Sequence, residues 1–163
     1  MVGCGHTWVS RYNQGPAVEA MLAATPKLPL TLQLVQGRLL VSGSAAPGVA
    51  AGAELLAIDE RPVADIVKAL MPYLRADGPR GETTPSTGDG KRLVQLNSSD
   101  TGDAMDRLYP LLFPPVQSDA QISSQAQAPA PARYRLKLRD KDSLDTRDLT
   151  VAAMSEAART QAI

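Results

Sequence analysis

Two short runs set the terms for any fold this chain adopts. Leu30-Thr31-Leu32-Gln33-Leu34 and Tyr134-Arg135-Leu136-Lys137-Leu138 alternate apolar and polar residues with a strict period of two. That period sends every second side chain to the same face, so each run predicts a strand with one buried and one wet side. Gln36-Gly37 then predicts a turn, and Arg38-Leu39-Leu40-Val41 a returning strand. Glu54-Leu55-Leu56-Ala57-Ile58 is an apolar run short enough for a buried strand. Asp59-Glu60-Arg61-Pro62 follows as a tight turn, and Pro62, with no N–H for a ladder, marks an edge or a break. Leu149-Thr150-Val151 predicts the hairpin partner of the last alternating run across residues 140–148.

Helical spacing is clearest at residues 64–74, where Ile66, Val67, Leu70, Met71 and Leu74 share a stripe and Pro72 limits the last turn. Residues 104–113 are a second helical segment, with Met105, Leu108 and Leu112 on one side. Residues 14–27 read as a short helix or a linker, with Pro16 in the first turn and Pro26 as its stop. Residues 42–52 are small and lack the bulk to pack, which predicts a loop. Residues 77–90 and 117–131 are poor in bulky apolar groups and rich in turn formers, which predicts flexible connections. The tail after Met154 is small and polar and is expected to fray. The order strand, strand, strand, helix, long insertion, strand, strand predicts a mostly β, α+β fold: a partly open barrel capped by a helix.

Composition removes several functions. The chain has 163 residues with 17 basic and 17 acidic side chains, so it lacks the basic excess of a nucleic-acid binder. Cys4 and His6 are the sole cysteine and histidine, which excludes an intrachain disulfide and any metal site of several cysteines or histidines. Residues 77–78, 89–90 and 140–145 carry aspartates, but without the regular oxygen spacing of a calcium loop. No metal and no cofactor is expected. No apolar run approaches the roughly 20 residues that span a bilayer, and the first residues carry no readable export signal.

The run Gly37-Arg38-Leu39-Leu40-Val41, Pro47-Gly48, then Gly52-Ala53-Glu54-Leu55-Leu56-Ala57-Ile58-Asp59-Glu60-Arg61-Pro62-Val63 resembles the central part of a PDZ domain. Ala53 stands where that family prefers Asp, and Asp59-Glu60 where it prefers Asn-Gly. Gly5-His6-Thr7-Trp8-Val9 is similar to a segment of the tricorn and carboxyl-terminal processing serine peptidases, which carry a PDZ-like module before their catalytic core. The resemblance covers roughly residues 3–75 and, more loosely, the hairpin 133–152. It implies an N-terminal segment, 1–27, that belongs to or packs on a peptidase core. It also implies a PDZ-like module over 28–154 with an insertion at 76–132, and a frayed tail at 155–163. The core's serine motif is not found in this chain. The resemblance therefore implies a non-catalytic module that binds or positions a substrate peptide or unfolded chain end, or docks on the missing catalytic core. It also implies a periplasmic or cell-envelope setting.

Each candidate residue has a plainer alternative. His6 is the candidate general base, but only in a longer parent protein that supplies the serine; otherwise it is a surface histidine. Cys4 lies two residues away and is an inert thiol unless the segment is held rigid. Leu39, Val41, Ile66 and Leu70 are the candidate peptide-binding residues, since an extended peptide can add as a strand beside a helix; the alternative is that they are core. The rival functions are a stand-alone PDZ-like adaptor binding a partner's peptide and a small enzyme built on Cys4 and His6.

Overall fold

The alternating runs form strands, as their period requires. In the computed structural model, which describes residues 15–74, 96, 104–115, 132–143 and 145–163, they become β1 (Leu30–Val35) and β5 (Arg133–Arg139). Between them lie β2 (Arg38–Ser44), β3 (Glu54–Ile58) and the two-residue β4 (Arg61–Pro62), and β6 (Thr146–Ala152) follows β5. The helices are α1 (Gly15–Ala24), α2 (Val63–Leu70), α3 (Ala104–Leu112) and α4 (Glu156–Ala162). The strands form one antiparallel sheet in the order β1-β2-β3-β5-β6, with β4 also paired to β3. The class is α+β with an open six-stranded sheet. Just before β1 and just after β6, Lys27 and Met154 exchange two backbone hydrogen bonds of 2.8 and 3.0 Å. The two outer strands are therefore tied at one end.

One face of the sheet makes the core. In β5, Tyr134, Leu136 and Leu138 are buried while Arg133, Arg135 and Lys137 are exposed. Leu30, Leu32, Leu39, Val41, Leu55 and Ile58 join the same apolar cluster, with Ile66 and Leu70 of α2 and Met105 and Tyr109 of α3 packed on it. Pro72 has no N–H to continue α2, so the helix gives way to a single 3₁₀ turn, Met71–Tyr73, that returns Leu74 to the core.

Leu55 and Ile58 are three apart, and in a regular strand they would face opposite sides. The register between β3 and β5 skips one residue: Leu55 pairs with Leu138, and Ala57 with Lys137. The extra residue, Leu56, makes a bulge that turns both Leu55 and Ile58 inward. Leu56, expected in the core beside Leu55, is instead only half-buried on the far side.

Two hairpins share one turn geometry. Gln36 and Gly37 have φ of 50° and 79°, and Asp59 and Glu60 have φ of 49° and 67°. Positive φ at both central residues is the mark of a two-residue type I′ turn. The second turn has no glycine, so it carries left-handed strain. Asp59 offsets it by extending the ladder: its N–H donates to the Arg135 carbonyl, and its Oδ1 accepts the Arg135 N–H, both at 2.7 Å.

Four expectations need correction. Residues 45–53 form a loop, but not one that fails to pack: Ala46 and Val49 are buried, and Arg147 Nη2 donates to the Gly48 carbonyl at 2.6 Å. The last hairpin runs further than its apolar letters suggest, because Thr146, Arg147 and Asp148 pair with Arg139, Leu138 and Lys137. The buried stripe of α3 is Met105 and Tyr109 with Phe113 packed behind them, and Leu112 is exposed. The reason is the aromatic cluster, with the Tyr109 ring 6.2 Å from Tyr134 and 5.4 Å from Phe113. The expected frayed tail is α4, capped by Ser155 Oγ, which accepts the Ala158 N–H at 3.2 Å, and Arg159 reaches the Leu30 carbonyl at 3.4 Å.

Gly52 enters β3 at φ 89°, and a Cβ there would lie 3.0 Å from Lys141 Cδ. Gly52→Ala is expected to lose about 1–2 kcal/mol in urea denaturation, through left-handed strain. Asp59→Ala is expected to lose a similar amount, about 1–2 kcal/mol, by leaving the Arg135 N–H without its acceptor, whereas Asp59→Asn, which keeps the side-chain oxygen, retains most of it.

Candidate functional site

Leu39 and Val41 come from β2, and Ile66 and Leu70 from α2. The fold brings all four into one apolar cluster. Their exposures are 1%, 2%, 1% and 0%, so in this state they are core. Beside them β2 meets β3 at one register pair, Leu40 with Glu54, and the Val41 N–H donates to the Ala53 carbonyl at 2.8 Å. Beyond that pair, β4 takes the neighbouring side of β3 at Ala57 and Ile58. Toward Arg38, β2 thus pairs with no strand on its β3 side among the described residues. His6 and Cys4 lie outside the described residues.

The opposite face of the sheet is polar. Leu40, Glu54 and Arg139 are successive register partners across β2, β3 and β5, and residues directly opposite share a face. Glu54 Oε2 accepts from Arg38 Nη2 at 2.7 Å and from Arg139 Nη1 at 3.1 Å. The Glu54 side chain is only 12% exposed, so these two cations neutralise a largely buried carboxylate. The hydrogen bond from Arg38 holds the Glu54 carboxyl below its ordinary value against the opposing effect of burial, and the charges of Arg38 and Arg139 add to it.

Further along the same face, Leu56, Ala57, Pro62, Glu60, Arg135, Lys137, Asp148 and Thr150 line an open depression of about 730 Å³. Glu60 bridges Arg135 at 2.9 Å across its rim, with both side chains mostly in solvent. At the far edge of the core, burial and then the Asp59 charge push the Tyr109 and Tyr134 phenols well above their ordinary range. Tyr134 donates to the Pro26 carbonyl at 3.1 Å. Among the described residues, no three His, Cys, Asp or Glu side chains converge as metal ligands, and no helix is long and apolar enough to cross a membrane.

The charged face escaped the sequence reading. Its signal was present: Arg133, Arg135, Lys137 and Arg139 occupy the polar half of the alternation that marked β5. Alternation alone distinguishes wet from dry and does not single out a basic row as a feature of its own.

No protein-family model matches the chain, and no curated protein matches it at a significant level. Among solved structures it is similar to three of CPAF, a chlamydial serine protease. Mature CPAF is 21% identical with a TM-score of 0.41, over 78% of this chain and 19% of that one. A serine-to-alanine variant of CPAF is 20% identical with a TM-score of 0.43, over 80% and 19%. Mature CPAF complexed with lactacystin is 20% identical with a TM-score of 0.41, over 78% and 19%. The chain thus spans about a fifth of the length of these proteins.

Because the Glu54 pKa is lowered from 4.5 in the fold, its share of the stability is present above that value and is lost as pH falls through the lower folded one. Glu54→Gln is expected to lower stability at pH 7 and to flatten the loss below pH 4.5, as read from thermal melts across the acid range.

Proposed function

We propose that this chain is a non-catalytic, PDZ-like module of the N-terminal part of a serine peptidase. It binds or positions the end of a substrate peptide, or docks on the catalytic core. One observation carries the reading: β2 and α2 share an apolar cluster, while β2 toward Arg38 lacks a strand neighbour on its β3 side among the described residues. An extended peptide added there would gain main-chain bonds from β2, and its terminal side chain would press against Leu39, Ile66 and Leu70. Those side chains are buried in the unbound chain, so binding requires α2 to yield toward solvent. The peptidase part of the reading rests on the sequence resemblance around His6 and residues 37–63, and the cell envelope is the compartment that it implies.

Titration of the isotope-labelled chain with peptides ending in a free carboxyl-terminal residue tests this. Saturable shifts confined to Arg38–Val41 and to α2 are expected, with no hydrolysis of the peptide. Saturable binding to none of a diverse peptide set removes the groove. Hydrolysis that disappears in Cys4→Ala overturns the non-catalytic reading as a whole.

A further inference from the structure

Every outward position of β5 is basic: Arg133, Arg135, Lys137 and Arg139. The acids on the same face answer only some of them. Glu54 pairs with Arg139 and Arg38, and Glu60 with Arg135. Arg133 and Lys137 make no ion pair among the described residues, although Asp148 stands opposite Lys137 in the register. Among the described residues, this face therefore carries more basic than acidic side chains. The bulge at Leu56 places an apolar side chain in the depression beside that surplus, with Pro62 and Thr150.

We propose that this face docks an extended acidic polypeptide segment. Alternate residues of β5 stand about 6.8 Å apart, and alternate residues of any extended chain repeat at the same distance. A segment with an acid at every second position therefore meets Arg133, Arg135 and Lys137 in step, and its intervening backbone lies over Leu56 and Ala57. A continuous run of phosphates fits less well, because it would carry charge past Glu60 and Asp148, which flank the positive row, whereas the uncharged alternate residues of a polypeptide can pass those two acids without repulsion. The site is on the side of the sheet away from α2, so it stands or falls separately from the peptide groove proposed above.

Fluorescence anisotropy of the full chain with a labelled peptide of alternating Glu and Val tests the inference. Saturable binding that weakens with added salt is expected, and a peptide of the same composition with its Glu residues in one block should bind less well. Arg133→Glu with Lys137→Glu should weaken binding by about tenfold or more, and Arg133→Gln with Lys137→Gln, which puts no like charge opposite Asp148 and should melt no lower than the parent, by a smaller factor. The inference is overturned if the double variants bind like the parent, if an alternating Lys–Val peptide binds as well, or if polyphosphate or a single-stranded oligonucleotide competes equally. Any of those results leaves the shifts at Arg38–Val41 with carboxyl-terminal peptides unaffected.

Discussion

The extra residue in β3 is the constraint on which the rest of the molecule depends. β3 has only five residues, yet it pairs with β2, β4 and β5 and supplies both Leu55 and Ile58 to the core. Without the bulge at Leu56, one of those two would face the charged side. The energetic reason for the irregularity is then simple. Fully burying a Leu or Ile side chain is worth about 1.5–3 kcal/mol, more than the single ladder bond a bulge disturbs. The bulge also sets the strand's exit, so that Asp59 and Glu60 turn immediately into β4 and α2 arrives over the core.

The same feature divides the sheet into two faces of opposite character. The inner face is closed by α2 and α3 and by an aromatic cluster around Tyr109 and Tyr134, where burial pushes both phenols above their ordinary range. The outer face keeps its charges in water or in partial pairs, with Glu54 as the most buried of them. Arg38 and Arg139 are themselves partly in solvent, so the largely buried Glu54 depends on them more than they depend on it.

Much of the fold was legible in the letters, because period two and period 3.6 are direct consequences of side-chain geometry. β1, β5, the Gln36-Gly37 turn and the Ile66–Leu70 stripe follow from that geometry and appear where it puts them. What stayed hidden depended on long-range partners. Leu56 reads like Leu55 until the register with Leu138 and Lys137 is known. Met105 and Tyr109 displace Leu112 from the core only because Tyr134, far away in the chain, offers a ring to pack against. The helix Glu156–Ala162 has no apolar stripe, and its signal was the Ser155 cap and the Glu156 beside it, which local pattern alone ranks below composition.

The candidate sites divide along the same line. Leu39, Val41, Ile66 and Leu70 were legible as a group because apolar residues announce burial, but burial is also what makes a core, and only a bound peptide separates the two. The basic row of β5 has the opposite character. Arg139 is accounted for by Glu54, but exposed charge contributes little to folding, so no packing requirement accounts for Arg133, Arg135 and Lys137 at alternate positions of the same strand. Like charges spaced this closely repel one another and cost stability, and two of them lack an ion pair among the described residues. A feature that folding does not need and electrostatics opposes is better explained by something outside the chain that bears the opposite charge.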